Sequence, residues 1–269
     1  MEPFSVLMSI YIKERATLLD RALRSILVDQ TTKPSELVLV EDGPLTEELY
    51  RVIDKYKSIF PSFISVKLPA NVGLGRALNA GLNRCRNEWV TRMDSDDISL
   101  PTRFEKQLEY IRAHPDIDVL GCALGEFETD EHIVMSVKAC PASVDSYIKF
   151  RSPVNHPTVF FRKSSVLRAG SYQHCPFMED YHLWIRMYAA DMKITSMPDI
   201  LYLFKMDRNT QKRRGGITYI KSELMIQKLL LDSGIISRFN YCTNIMLRCG
   251  GRLLPGSFRA FLYRFFFRQ

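Results

Sequence analysis

Trp89-Val90-Thr91-Arg92-Met93-Asp94-Ser95-Asp96-Asp97-Ile98-Ser99-Leu100-Pro101 sets a short apolar run directly before three acids within four residues, and closes on a proline that opens a helical pattern. The run reads as a buried strand, so Asp94, Asp96 and Asp97 fall where that strand ends. Acids packed this closely repel one another, and so much negative charge at the end of a buried sheet is unfavourable unless something positive sits among them. A bound divalent cation is the most direct relief. Oxygen ligands favour Mg2+, Mn2+ or Ca2+ over zinc, and the open positions of such a cation are commonly filled by phosphate oxygens. The tetrapeptide alone is equally compatible with an Asp-rich turn whose side chains cap the following helix. Its surroundings have to decide.

Upstream, residues 4–11 read as a first buried strand, and Leu18, Leu19, Ala22, Leu23, Ile26 and Leu27 then recur at helical spacing. Residues 36–40 form a second apolar strand that runs out at Glu41-Asp42-Gly43. A helix over 46–58 and a strand over 64–68 lead to Asn71-Val72-Gly73-Leu74-Gly75-Arg76, after which Leu74, Ala77, Leu78, Gly81, Leu82 and Cys85 keep helical spacing again. This alternation predicts a parallel, doubly wound α/β sheet, which binds its ligands outside the carboxyl ends of its strands. Tyr11, Asp42, Asn71 and Asp94 all fall at such ends. That convergence favours a metal-diphosphate site over a plain turn.

Downstream of a helix over 102–114 the periodicity changes. Residues 119–127 and 133–137 read as a strand pair, 143–150 as a short helix, and 158–162 as a strand preceded by Asn155-His156-Pro157. Phe177-Met178-Glu179-Asp180-Tyr181-His182-Leu183-Trp184 opens a further helix with Glu179 and Asp180 in its first turn. Unpaired amides at a helix start keep a carboxylate ionised, and an ionised carboxylate accepts a proton; the same pair could simply complement the helix dipole.

The chain has 269 residues, 46% of them hydrophobic and 25% charged, which suits one large α/β domain or a domain with an appendage. Its six cysteines show no CxxC spacing, so reduced thiols are expected in place of disulfides or a zinc site. The apolar run over 4–12 is too short for a signal peptide and lacks a basic flank, which points to the cytoplasmic side. Charge is uneven: from Lys205 onward there are 13 Lys plus Arg against 3 Asp plus Glu, a net +10 where the whole chain carries +7. Residues 1–204 are therefore mildly acidic. That excludes a nucleic-acid enzyme with a basic groove through its core, and points to a basic appendage meeting an acidic surface. Phe258, Phe261, Leu262, Phe265 and Phe266 would share one helix face flanked by Arg259, Arg264 and Arg268, the pattern of a helix lying in a membrane interface or packing on the catalytic domain or a second subunit. Lys212-Arg213-Arg214 is a second basic patch. The expected division is 1–205 catalytic, with 1–101 binding nucleotide and 102–205 binding acceptor, then 206–269 as a basic helical extension.

Val40-Glu41-Asp42-Gly43, Asn71-Val72-Gly73 leading to Leu78-Asn79-Ala80-Gly81, Asp94-Ser95-Asp96-Asp97 with Pro101 and Arg103, His156-Pro157-Thr158, and Glu179-Asp180 together resemble family 2 glycosyltransferases. The likeness covers about 4–205 and is greatest to the amylovoran-type enzymes of bacterial polysaccharide. It implies a GT-A fold, a Rossmann-like nucleotide half within a mixed sheet flanked by helices, and inverting chemistry. Carried onto this sequence, it implies that Asp42 reads the base, that Asn71, Asp94 and Ser95 help hold the nucleotide sugar, and that Asp96 coordinates Mn2+ or Mg2+. Tyr11 would line the base pocket, in a loop that departs from the commoner Thr-Tyr-Asn form. Asp180 matches the catalytic base. Asp97 is expected to be structural and Arg103 to pair with an acid. His156 would approach the metal, bind acceptor, or be a satisfied buried ring, and Glu179, His182 and Trp184 would pack or line the acceptor side.

The resemblance implies transfer of a hexose, glucose or galactose favoured, from a UDP-sugar to a lipid-diphosphate-linked sugar at the inner face of the cytoplasmic membrane, in O-antigen or exopolysaccharide synthesis. Two other classes stand against it. A sugar-nucleotide nucleotidyltransferase expects a glycine-rich loop directly after the first strand, where Tyr11-Ile12-Lys13-Glu14 stands. A noncatalytic basic membrane adaptor leaves two separated carboxylate sites without a purpose.

Overall fold

Strands that are buried on both faces read as continuous apolar runs, and the strands of the first half do so. The computed structural model describes residues 2–141, 143–206 and 216–250. In it β1 (Phe4–Ile10), β2 (Glu36–Glu41), β3 (Phe63–Lys67) and β4 (Trp89–Met93) lie parallel in the order β3-β2-β1-β4. Helices α1 (Ala16–Leu27) and α2 (Glu47–Ile59) pack Leu19, Leu23, Ile26, Leu49 and Ile53 against Val6, Met8, Leu37 and Leu39 on one face. On the other face α3 (Leu74–Arg84) sets Ala77, Leu78 and Leu82 against Leu7, Val38 and Val40. Gly81 lets α3 approach this closely, since a Cβ there would lie 2.5 Å from both Leu7 Cδ1 and Val40 Cγ2.

Beyond β4 the sheet becomes mixed. The next elements are β5 (Ile98–Ser99), α4 (Arg103–Ala113), β6 (Val119–Phe127), β7 (Ser136–Lys138), α5 (Val144–Tyr147), β8 (Phe160–Arg162), α6 (Lys163–Arg168), α7 (Glu179–Ala189) and β9 (Ile194–Lys205). β8 runs antiparallel between β4 and β6, β9 runs parallel to β6, and β5 closes the far edge antiparallel to β9. The parallel alternation therefore holds for four strands only. β9 was not foreseen, because Pro198 and Asp199 interrupt its pattern; the register jumps from Met197 opposite Cys122 to Ile200 opposite Ala123, a bulge that leaves those two residues out of the ladder. The strand expected over 133–137 is corrected to Ser136–Lys138, with Ile133, Val134 and Met135 exposed in the hairpin before it. The strand expected over 158–162 starts as a 3-10 turn, His156–Thr158, with Pro157 in its first turn.

The chain continues into α8 (Ile217–Asp232) and α9 (Arg238–Ile245), which runs on as a π-helical turn, Met246–Gly250. Ile226, Leu230 and Ile236 pack on Met178, Tyr181 and Ile185 of the α7 region. This part of the basic extension is docked on the α7 region. The aromatic helix expected over 258–266 and the Lys212-Arg213-Arg214 patch lie outside the described residues. Among the described residues no helix is long and apolar enough to cross a membrane, and Cys85, Cys122, Cys140, Cys175 and Cys242 are free thiols.

Candidate active site

The ends of β1, β2 and β4 and the loop entering α3 meet at one edge of the sheet. Asp42, directly after β2, uses both carboxylate oxygens on that loop: Val72 N donates to Oδ1 at 2.7 Å, and Gly73 N and Asn71 Nδ2 donate to Oδ2 at 3.2 and 3.0 Å. Gly43 and Gly73 both adopt positive φ, +90° and +87°, so the chain turns tightly on either side of this staple. Asp42 and Asn71, expected to contact nucleotide, thus act first on each other. Tyr11 is half-buried just past β1, in a turn where its carbonyl accepts from Glu14 N. Glu41 is 1% exposed, and among the described residues neither of its oxygens has a hydrogen-bond partner, which makes it a buried acidic end to β2.

At the end of β4 the acids divide by partner. Asp94 accepts a 2.6 Å ion pair from Arg92, which is itself 1% exposed. Ser95 donates its hydroxyl to Glu14 at 2.9 Å. Burial, then the neighbouring charges of Asp94 and Glu14, push the Asp96 carboxyl up to about 7. Asp97 is fully buried and accepts from the Tyr202 hydroxyl (2.9 Å) and Lys205 N (2.7 Å), which ties the turn to β9. Arg103 corrects an expectation: among the described residues it forms no ion pair with an acid, and it donates to Arg92 O, Thr91 Oγ1, Gln107 Oε1 and Pro157 O, with its guanidinium over Tyr202 and Phe104. Glu14, Arg92 and Tyr202 are the residues the sequence did not single out. They come from distant segments, and only the fold brings them to the turn.

The oxygen donors Asp94, Asp96 and Glu14 suit a hard divalent cation, and the mutual repulsion felt at Asp96 is what such a cation relieves. Among the described residues no group of three or more His, Cys, Asp or Glu is placed to hold a metal ion.

Asp180 stands in the first turn of α7, where Ser152 Oγ donates to it at 3.4 Å. The expectation that helix-start amides hold it ionised is corrected in balance: the Tyr181 amide pulls its pKa down, but burial outweighs this and moves it above the ordinary aspartate value. Burial moves Glu179 the same way. His156 Nε2 is hydrogen-bonded to the Tyr172 hydroxyl at 2.9 Å, with its ring edge-on to Trp184. Burial, with the Arg92 guanidinium nearby, holds His156 well below the usual histidine range, so the ring is neutral. Tyr172 is pinned to α3 by two bonds with Asn79, at 2.7 and 3.0 Å. Burial pushes its hydroxyl up, the Arg92 guanidinium offsets part of this, and the charges of Asp180 and Asp94 add to it. Both carboxylate sites thus act electrostatically on one tyrosine. Gly75 of α3 reinforces the junction, since a Cβ there would lie 3.1 Å from Glu179 Cγ.

His182 and Trp184 do not present an open acceptor wall. His182 is buried, its Nδ1 accepts from Arg186 Nε at 3.2 Å, and burial followed by the Arg186 charge lowers its pKa to about 4. Arg186 in turn donates to the carbonyls of Ala169 and Ser171, fixing the turn that carries Tyr172. Trp184 has no exposed surface and packs in the core with Tyr172, Leu183 and Met187.

A mixed sheet with its nucleotide-type half on β1 to β4, an acidic turn after β4 and an acid-bearing α7 beside it defines a GT-A glycosyltransferase, and the model of the family "Glycosyl transferase family 2" matches residues 5–175. The chain belongs to that family. It is 41% identical over 266 residues to the amylovoran biosynthesis glycosyltransferase AmsE of Erwinia amylovora, covering 97% of each chain. It is 38% identical over 266 residues to the Escherichia coli UDP-Gal:alpha-D-GlcNAc-diphosphoundecaprenol beta-1,3-galactosyltransferase, covering 97% of this chain and 95% of the other. The fold is shared with S. aureus TarS 1-349 in complex with UDP-GlcNAc, at a TM-score of 0.71 and 18% identity over 90% of this chain and 70% of that one.

Proposed function

We propose that this glycosyltransferase moves a hexose, with galactose the first donor to test and glucose the second, from a UDP-sugar to a sugar carried on a lipid diphosphate, with inversion, during assembly of a bacterial surface polysaccharide. The reading is supported by the 38–41% identity to polysaccharide glycosyltransferases, and by a Tyr172 that bonds His156 Nε2 and feels the charges of both Asp180 and Asp94. Its finer terms are supported by the E. coli relative, whose name gives UDP-galactose as donor and a diphosphoundecaprenol-linked sugar as acceptor.

In this reading the acceptor hydroxyl oxygen forms a bond to the anomeric carbon as the bond from that carbon to the UDP oxygen breaks, and UDP departs from the opposite face. The hydroxyl proton passes to Asp180, whose pKa burial raises, making its carboxylate a stronger base than an exposed aspartate. Ser152 holds the carboxylate in place and Lys138 lies near enough to favour its charged form. Asp42 shapes the Asn71 to Gly73 loop against which the nucleotide lies, and Arg92 holds Asp94 in a fixed orientation. A divalent cation, Mn2+ or Mg2+, would be held through Asp96 and would offset the charge of the leaving diphosphate. Neutral His156 remains free to donate or accept through its second ring nitrogen.

Asp180→Asn keeps size and shape while removing the proton acceptor. Turnover is expected to fall about 100- to 10,000-fold with the thermal midpoint little changed. The measurement is a donor screen by mass spectrometry on a synthetic lipid-diphosphate N-acetylhexosamine; near-normal turnover by the variant would sink the assignment of the base. Calorimetric titration with UDP, with and without Mn2+, tests the metal: binding that ignores Mn2+ removes Asp96 from that role.

A further inference from the structure

Helices α8 and α9 hold a buried polar network where they meet and expose large apolar residues among charged ones on their outer sides. At the seam Gln227 Nε2 donates to Glu223 at 3.1 Å, Asn244 Nδ2 donates to Gln227 at 2.9 Å, and Arg248 pairs with Glu223 at 2.8 Å. Glu223, Gln227 and Asn244 are all buried. Outward, Phe239, Met246 and Leu247 are 76%, 72% and 75% exposed, and α8 also exposes Ile217, Leu224 and Met225. Phe239 and Met246 are seven residues apart, so they share one helix face. Isolated exposed apolar residues need no explanation, but a set of large ones on a hairpin that spends its polar groups inside does.

We propose that the outer face of α8 and α9 is a docking surface for an anionic phospholipid bilayer, which would bring the Asp180 side of the molecule toward the membrane. Charge selects this occupant. The exposed ionic groups of the hairpin are Lys221, Lys228 and Arg238 against Asp232, because Glu223 is turned into the seam. Apolar side chains set among cations match a headgroup layer in which the chains enter the acyl boundary and the cations stay with phosphates. A second copy fits poorly, since a two-fold contact would bring the same cations together.

The surface is joined to the candidate base at two points. Arg248 donates to the carbonyl of Phe150, itself 51% exposed, two residues before the Ser152 that bonds Asp180. Tyr219 of α8 stacks on Phe177, ring centroids 6.0 Å apart, three residues before Asp180. Phe177 has φ +69°, so the entry to α7 is fixed in an unusual conformation with α8 laid against it. This deepens the proposed function, because a lipid-borne acceptor would arrive from this side.

The test is flotation of the full chain with vesicles of phosphatidylcholine alone or mixed with phosphatidylglycerol, with no donor or acceptor present. Wild type should float with the mixed vesicles and lose partition as salt rises. The triple variant Phe239→Ser, Met246→Ser, Leu247→Ser should lose on the order of tenfold in partition while keeping its thermal midpoint, and Lys221→Gln with Lys228→Gln and Arg238→Gln should lose the preference for phosphatidylglycerol. Wild-type flotation by the triple variant overturns the proposal. So does a wild-type dimer in sedimentation that the triple variant breaks, which would identify a second copy as the occupant. Turnover on a water-soluble, short-chain acceptor should be unchanged in both variants. If flotation behaves as stated and no acceptor is ever glycosylated, the functional reading fails while the docking surface stands.

Discussion

Asp180 and His182 lie two residues apart on α7 and are shifted in opposite senses by the same burial, because burial penalises whichever form is charged. For His182 the sign gives a stability prediction. An unfolded histidine titrates near about 6.5 and the folded one at about 4, so between these values the unfolded chain takes up a proton that the native state refuses. The native advantage is complete above the unfolded value and is lost as pH falls toward the folded one. Urea unfolding at about pH 7 and about pH 5 should show roughly 2 kcal/mol of loss from this group. His182→Asn, which keeps an acceptor for Arg186, should remove that portion of the slope; an unchanged slope would mean that His182 is not held neutral. Asp42, Asp94, Asp96 and Asp180 were legible as individual residues because acids at strand ends and helix starts are visible in sequence. Arg92, Glu14 and Tyr172 were not, since an arginine inside an apolar strand or a tyrosine in a loop has no local pattern that announces what it will touch.

At the scale of elements, α3 shows how tightly the parallel part of the sheet is covered. Gly81 sits where any side chain would enter the space of Leu7 and Val40, both fully buried, so neither neighbour has an open direction in which to yield. Gly81→Ala should therefore destabilise by about 1–3 kcal/mol despite alanine's better helix propensity, and a thermal midpoint at or above wild type would contradict this. Gly75 differs, because its nearest neighbour is the flexible Glu179 side chain at 3.1 Å. Strands β1 to β4 and helices α1 to α4 could be read in advance because each keeps one periodicity from end to end. β9 could not. Its bulge at Pro198-Asp199 splits a long strand into two fragments with different phase, and β5 is too short to show any period.

On the scale of the whole molecule, the boundary expected after residue 205 divides a stretch of charge more cleanly than it divides a core. Ile226, Leu230 and Ile236 complete the apolar cluster that encloses Met178, Tyr181 and Ile185, the residues that surround Asp180 in sequence and seat α7. Composition could register the change in charge at Lys205, but it carried no information on which surface the following helices cover. If α8 is part of the catalytic body, a chain ending at Met206 will expose the underside of α7, with a lower thermal midpoint and with turnover falling even on a water-soluble acceptor. A chain ending at Gly250 keeps α8, α9 and the Arg248 link to Phe150, and should retain both properties. Thermal unfolding and soluble-acceptor turnover on the two shortened chains separate the possibilities. Equal midpoints for the chain ending at Met206 and the full chain would make everything after residue 205 an appendage, and would leave the seating of Asp180 to α7 and its sheet alone.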